Sequence, residues 1–248
     1  MTHKTRGIVL RAIKYGETSL VVTVFTELFG AQTYMVNGAR SNKKQSNKAS
    51  LYQPGSLLDM EVYHYEQKNM QRIKECSWSY LSYDTQSNVV KNSIALYMME
   101  LLYKTLKQPE QNIDLFYFCE DALQQLDKAP AVIAANFPLF FTLHLTHFFG
   151  FRINNLEPEL ETADPLFLDL LEGNFTDVQP PHPHFVDTEY ALITAELLKI
   201  MQPYELDQLK LQQQKRRVLL AKYLDYYALH IQDFGQMRTV AVLQEILA

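Results

Sequence analysis

The stretch from Gly7 to Lys48, GIVLRAIKYGETSLVVTVFTELFGAQTYMVNGARSNKKQSNK, decides how this chain is read. Residues that favour strands fall in three blocks near 8–15, 19–26 and 31–37, punctuated by Gly16, Gly30 and Gly38. Alternation is clearest in the second block, where Leu20, Val22 and Val24 take one face and Val21, Thr23 and Phe25 the other. Glu27-Leu28-Phe29-Gly30 reads as the hairpin turn into the third block. Beyond a polar loop over 39–50, Leu58, Met60 and Val62 mark one face of a fourth strand, and a fifth run occupies 70–80. Five short strands in succession predict a small barrel or sandwich.

Charge singles out the same stretch. Residues 1–48 hold eight Lys and Arg against two acids, Glu17 and Glu27, a local charge of +6 in a chain of net charge −5. Over residues 1–90 the balance is +4, and over 91–248 it is −9, so the two parts face different partners. The 248 residues, 47% of them hydrophobic, support sizeable cores. The opening MTHKTRG lacks the apolar core of a secretory signal, and Cys76 and Cys119 make no disulfide framework, so a reducing cytoplasm is expected.

From Asn88 the period becomes helical, with Val90, Ile94, Tyr97 and Leu101 on one face and Ser87 or Asn88 as the N-cap. That change sets a domain boundary near 84–88. Further helical runs are expected at about 110–127, 131–149, 187–201, 213–232 and 239–247, with an irregular insertion over 154–185. Ala129–Phe151 carries no Asp, Glu, Lys or Arg, yet Asn136, Pro138, His144 and His147 favour a buried helix of a soluble domain over a membrane span.

Common enzyme motifs are absent: the sequence contains no GxxxxGK[ST], GxGxxG, HExxH or GxSxG. His144 and His147, three apart on a helix, and His182 and His184 in a Pro-rich loop are the candidate metal ligands, against the plainer reading of core and turn histidines. The cations of residues 1–48, interleaved with Tyr15, Phe29 and Tyr34, suit a nucleic-acid backbone and unpaired bases. On that reading the DNA-contacting residues are Arg6, Arg11, Lys14, Tyr15, Tyr34, Arg40, Lys43, Lys44 and Lys48. In the helical part, Arg216 and Arg217 flank an apolar seam of Leu220, Leu224, Tyr227 and Ile231, where an acidic, aromatic-ended peptide could dock. Two other readings stand beside DNA binding: an adaptor whose barrel binds protein, and a metal-dependent enzyme using His144 and His147 with Asp164 or Asp169.

The runs Gly7-Ile8-Val9-Leu10, Gly16-Glu17-Thr18-Ser19-Leu20, Val24-Phe25-Thr26, Gly30 and Gly38-Ala39-Arg40-Ser41 resemble the N-terminal domain of the RecO family, bacterial recombination mediators of DNA repair. Leu101-Leu102, Phe148-Phe149-Gly150-Phe151 and the run 223–247 extend the resemblance into the helical part. It implies an α+β chain, with an oligonucleotide-binding (OB-fold) barrel of five strands over 1–84 and an α-helical domain over 85–248. It further implies binding of single- and double-stranded DNA, annealing of strands coated by single-stranded-DNA-binding protein, and action with RecR to load RecA, in the cytoplasm and at the nucleoid. No catalytic residue and no cofactor are implied. Many relatives carry a four-cysteine zinc motif where 154–185 has no cysteine, so no metal is expected. Relatives that bind the acidic, Phe-ended tail of single-stranded-DNA-binding protein use cations where this chain has Leu139-Phe140-Phe141; Arg152, Arg216 and Arg217 are the substitutes available.

Overall fold

The structure is a computed structural model that describes residues 1–40 and 48–246. Five strands close a barrel in the order β1-β2-β3-β5-β4: β1 (Thr2–Tyr15), β2 (Ser19–Thr26), β3 (Gly30–Val36), β4 (Leu57–Tyr63) and β5 (Gln71–Tyr80). Strand β1 is long enough to serve two neighbours, pairing with β4 over Thr2–Ile8 and with β2 over Gly7–Tyr15. A register shift between Val9 and Arg11 bends it around the barrel, as an extra residue in one strand does. Closure comes from the parallel pairing of β3 with β5, Tyr34 opposite Gln71 and Met35 opposite Arg72, which leaves the OB-type barrel without a free edge.

The alternation read in β2 is realised: Leu20, Val22 and Val24 join Val9, Tyr34, Val36, Leu58, Met60 and Val62 in the barrel core. Phe25, on the opposite face, is nonetheless fully buried, because Phe116 of α3 (Ile113–Lys128) covers it with ring centroids 5.7 Å apart.

The change from strand to helix falls between Tyr80 and Tyr83, but packing divides the chain into Met1–Lys128 and Ala129–Ala248. Helices α1 (Tyr83–Ser87), α2 (Val89–Thr105) and α3 are locked to the barrel by polar contacts that sequence separation hides. The Asp127 carboxylate accepts from the Tyr80 hydroxyl at 3.1 Å and the Thr85 amide at 2.7 Å. Buried Lys91 donates to the Asp84 carboxylate at 2.8 Å and the Asp127 carbonyl at 2.6 Å. Gly30 sits against the backbone of Glu110 so closely that a Cβ would meet its carbonyl oxygen at 2.1 Å, and φ of +63° suits glycine there. Asn88 caps α2, accepting from the amides of Val90 and Lys91.

In the second unit, α4 (Ala131–Leu145) lies against α5 (Thr188–Lys199), the 3-10 turn Pro203–Gln208 and α6 (Gln213–His230). Ala131–Phe148 is apolar and long enough to cross a membrane, but 72% of it is buried, as in a core helix. At its C-terminus the Thr146 amide turns to the carbonyls of Leu143 and His144. Near the same end, the Thr142 carbonyl accepts from the Tyr227 hydroxyl at 2.8 Å. The buried stripe of α6 is Leu219, Leu220, Tyr223, Tyr226 and Tyr227, not the seam through Leu224 and Ile231, which are only half-buried. Tyrosines could move inward because Tyr223 meets Thr194 at 2.8 Å and Tyr226 donates to the Phe151 carbonyl at 2.6 Å. The 154–185 segment holds a small three-stranded sheet completed just beyond it, β6 (Phe167–Asp169), β7 (Asn174–Thr176) and β8 (Phe185–Val186), and α7 (Thr239–Ile246) is the last helix.

Candidate nucleic-acid interface

Strand pairing builds the site from the sequence upward. Because cross-strand partners share a face, Ile13, Val21, Met35, Arg72 and Tyr63 form one outward row across β1, β2, β3, β5 and β4. Their inward neighbours Val22, Tyr34 and Val62 are fully buried, which fixes the parity. At a strand spacing of ~4.8 Å the row is about 19 Å wide, a sheet face of the kind OB barrels present to oligonucleotides. Arg11 lies one outward step below Ile13, and Tyr15 one step above at the β1–β2 turn.

The residues read as DNA contacts divide on this barrel. Arg11, Lys14 and Tyr15 are exposed, Tyr15 by 58%. Arg11 lies over the Tyr103 ring, 5.4 Å from its centroid, and donates to its hydroxyl at 3.3 Å. Arg40 is half-buried, and its amide donates to the Thr18 carbonyl at 3.0 Å, pinning it beside the β1–β2 turn. Two assignments need correction. Tyr34 is 0% exposed in the barrel core, where its ring cannot stack on a base. Arg6 is committed to two carboxylates, Glu27 at 3.0 Å and Glu120 at 2.7 Å, with its guanidinium over the Tyr117 ring. Hydrogen bonding to Arg6 holds the Glu27 carboxyl below its ordinary range, while burial raises that of Glu120 despite the same partner. Lys43 and Lys44 lie outside the described residues, as does the side chain of Lys48.

Sequence reading missed the β4–β5 loop. Tyr63, Tyr65 and Met70 are 36%, 46% and 41% exposed, with Lys68 and Arg72 among them, and with Met35 they line one cleft. The charge count concealed it, since Glu61, Glu66 and Glu75 offset the cations of this segment. The signal was the alternation itself: if Leu58, Met60 and Val62 point inward, Tyr63 points outward. A second groove, on the outer side of β1, β4 and β5, is lined instead by Glu27, Asp59, Glu61 and Glu75 with Lys4 and Arg6, and is unsuited to phosphate.

The second unit contains a small apolar pocket bounded by Pro138, Leu139, Leu220 and Leu243, with Arg216 and Arg217 at its wall. Arg216 donates to the Leu211 carbonyl and Arg217 to the Gln244 carbonyl, while each buried Nε has no hydrogen-bond partner among the described residues. Burial lowers the Arg216 pKa. Arg152 is exposed and not among the residues of this pocket. His144 is buried against Phe140, ring centroids 4.3 Å apart, and burial lowers its pKa to about 4. His182 Nε2 lies 3.2 Å from the Asp169 carboxylate. Among the described residues no three His, Cys, Asp or Glu side chains are grouped to hold a metal.

Two family models match the chain: "Recombination protein O N terminal" over residues 1–81 and "Recombination protein O C terminal" over residues 86–172. Curated relatives named DNA repair protein RecO match end to end. The chain is 30% identical to that of Azobacteroides pseudotrichonymphae over 246 residues, covering 99% of both chains. It is 31% identical to that of Phocaeicola vulgatus, covering 100% of both, and 32% to that of Bacteroides fragilis strain YCH46, covering 99% of both. Full-length matches of this kind, on a closed five-stranded barrel followed by helices, establish that the chain belongs to the RecO family of DNA repair proteins.

Proposed function

We propose that the protein is a DNA-binding recombination mediator that works by binding rather than by bond-making. In this reading it holds single- and double-stranded DNA, anneals complementary strands, and with RecR helps load RecA onto strands coated by single-stranded-DNA-binding protein. It acts in the cytoplasm at the nucleoid, without catalytic residue or cofactor. The observation that carries the reading is the outward face of β1–β2–β3–β5, where Arg11 and Arg72 stand with exposed aromatic rings, together with Lys14 near the end of β1 and Arg40 beside the β1–β2 turn, in a chain of RecO-family descent. Cations there neutralise phosphates and release counterions, lowering the repulsion between two strands while leaving the bases free to test complementarity.

A salt-dependent titration with labelled single strands tests it. Replacing Arg11, Lys14 and Arg40 together by Glu removes at least three phosphate contacts and reduces the log–log salt slope by about 2, at about 0.7 per contact. Unchanged affinity and slope in a folded triple variant would refute it.

A specific observation favours a further partner site in the second unit. The pocket of Pro138, Leu139, Leu220 and Leu243 offers a dry slot, and Arg216 and Arg217 offer cations, for an acidic, Phe-ended tail such as that of single-stranded-DNA-binding protein. Both guanidiniums already spend a donor on a main-chain carbonyl, so carboxylate capture uses the donors that remain. Fluorescence titration with a tail peptide decides it: Arg216→Ala with Arg217→Ala abolishes binding, Arg152→Ala does not, and wild-type affinity in the double variant rules the pocket out.

A further inference from the structure

The cleft beside the β3–β5 seam has a volume of about 620 Å³ and is walled by Met35, Tyr63, Tyr65, Lys68, Met70 and Arg72. We propose that it is a nucleobase-stacking subsite selective for single-stranded DNA, taking an unpaired base against Tyr63 or Tyr65 and its flanking phosphates on Lys68 and Arg72. This rests on the DNA-binding reading of the barrel and assigns a part of the face that charge alone did not mark.

Three features point to this occupant. The first is charge: among the described residues no carboxylate lines the cleft, whereas four line the groove on the outer side of β1, β4 and β5. A polyanion is attracted to one and repelled by the other. The second is chemistry, because rings and thioether sulfurs offer flat, polarisable contact to any base, and Lys68 Nζ lies over the Tyr65 ring, 4.5 Å from its centroid, a cation that a base stacking on that face displaces toward its own phosphate.

The third is preorganisation. Gln71, 2% exposed, staples the loop from inside: its carbonyl accepts from the Tyr65 amide at 3.0 Å, and its amide donates to the carbonyls of Tyr65 and Lys68, both at 2.8 Å. The Lys68 amide closes the turn on the Tyr65 carbonyl at 3.0 Å. A loop this well satisfied presents Tyr65 and Lys68 already in place, so little ordering entropy opposes binding. Duplex DNA cannot use such a cleft, since its bases are stacked on one another and offer only their edges, in the grooves, rather than a free face.

The test compares a labelled oligothymidine of about 16 nucleotides, the upper end of an OB-fold site, with an abasic strand of equal length. Wild-type protein binds the base-bearing strand about tenfold more tightly; Tyr65→Ala, alone or with Tyr63→Ala, brings that ratio to near one, and Tyr65→Phe, which keeps the ring, preserves it. A strand carrying 5-iodouracil cross-links to Tyr63 or Tyr65 in the unmutated protein, a readout that needs no variant to fold. Equal wild-type affinity for the two strands, an unchanged ratio in Tyr65→Ala, or cross-links confined to other residues overturns the subsite while leaving phosphate binding intact. Failure of wild-type protein to bind either strand at low salt overturns both readings. Displacement of the abasic strand by an acidic, Phe-ended peptide, with no preference for bases, reassigns the cleft to a peptide.

Discussion

Arg6 carries a prediction that separates a structural cation from a DNA-binding one. Its guanidinium grips Glu27 through Nη2 at 3.0 Å and Nε at 3.3 Å, and Glu120 through Nη1 at 2.7 Å. Arg6→Ala removes all three bonds and the ring contacts with Phe116 and Tyr117. Hydrogen bonds to charged groups contribute about 1.5–3 kcal/mol each. The Arg6 and Glu27 side chains remain 32% and 22% exposed, so water recovers much of what Glu27 loses, whereas Glu120, 11% exposed, keeps an unpaired charge. The net cost is about 3 kcal/mol, which for a unit of this size lowers the melting midpoint by about 10 °C.

Acid relieves the deficit. Burial holds the Glu120 pKa above its ordinary value even with Arg6 present, and removing the cation raises it further. A group with a raised folded-state pKa gains relative stability as pH falls, so the gap between variant and wild type narrows from pH 7 toward pH 5. Thermal unfolding followed by circular dichroism measures both effects, and a DNA titration well below the midpoint completes the test. The reasoning predicts affinity within twofold of wild type. An unchanged midpoint with a tenfold loss of DNA affinity would refute it and return Arg6 to the DNA surface.

Tyr34→Phe removes a buried hydroxyl with no hydrogen-bond partner among the described residues, so urea unfolding should find the variant as stable as wild type or up to about 1 kcal/mol more stable, with DNA affinity unchanged; a loss of affinity would mean that the ring reaches DNA after all. Buried His144, with its pKa lowered to about 4, stays neutral as the unfolded chain protonates near 6.5, so stability is retained above pH 6.5 and falls by about 3 kcal/mol on approaching pH 4. In His144→Phe that acid-induced loss shrinks by about the same amount in urea titrations at pH 7 and near pH 4.5, and an equal loss in both proteins would show that His144 is not its source.

The barrel was legible in the sequence because its strands alternate. Leu20, Val22 and Val24 in β2, and Leu58, Met60 and Val62 in β4, each place a period-two face, and the structure puts both sets in one core. The same rule, applied to β3, would have turned Tyr34 inward with Val36 and Met35 outward; an aromatic ring among cations drew the other conclusion. Arg6 is different in kind, since its partner Glu120 lies 114 residues away and no local pattern reports it. The same holds for Lys91, whose buried ammonium is intelligible only once Asp84 and the Asp127 carbonyl surround it. Charge counting pointed to Arg11, Lys14 and Arg40, where basic residues accumulate and the structure leaves the side chains exposed or half-buried. It passed over the β4–β5 loop, where Glu61 and Glu75, which line the other groove, offset cations in the sum but not in space.

The proposed division of labour on the barrel has an energetic logic that suits annealing. A face that held bases too firmly would oppose pairing, since every base released to a partner strand forfeits its contact with protein. One base stacked on a tyrosine contributes about 1–3 kcal/mol, and one base-pair step of duplex contributes about 1.4 kcal/mol on average. A cleft the size of that beside Met35 and Arg72 engages one or two bases, so two or three new base-pair steps offset their release. Phosphate contacts through Arg11, Lys14 and Arg40 survive the exchange, because they do not depend on whether the bases are paired. The cleft would then hold an unpaired strand in place for testing and surrender it when complementarity extends beyond a few steps. This reasoning requires that Tyr65→Ala weaken capture of single strands more than it slows the zippering of strands already paired. An annealing time course begun from preformed short duplexes measures the second quantity separately, and equal losses in both would mean that the cleft acts on duplex as well as on single strands.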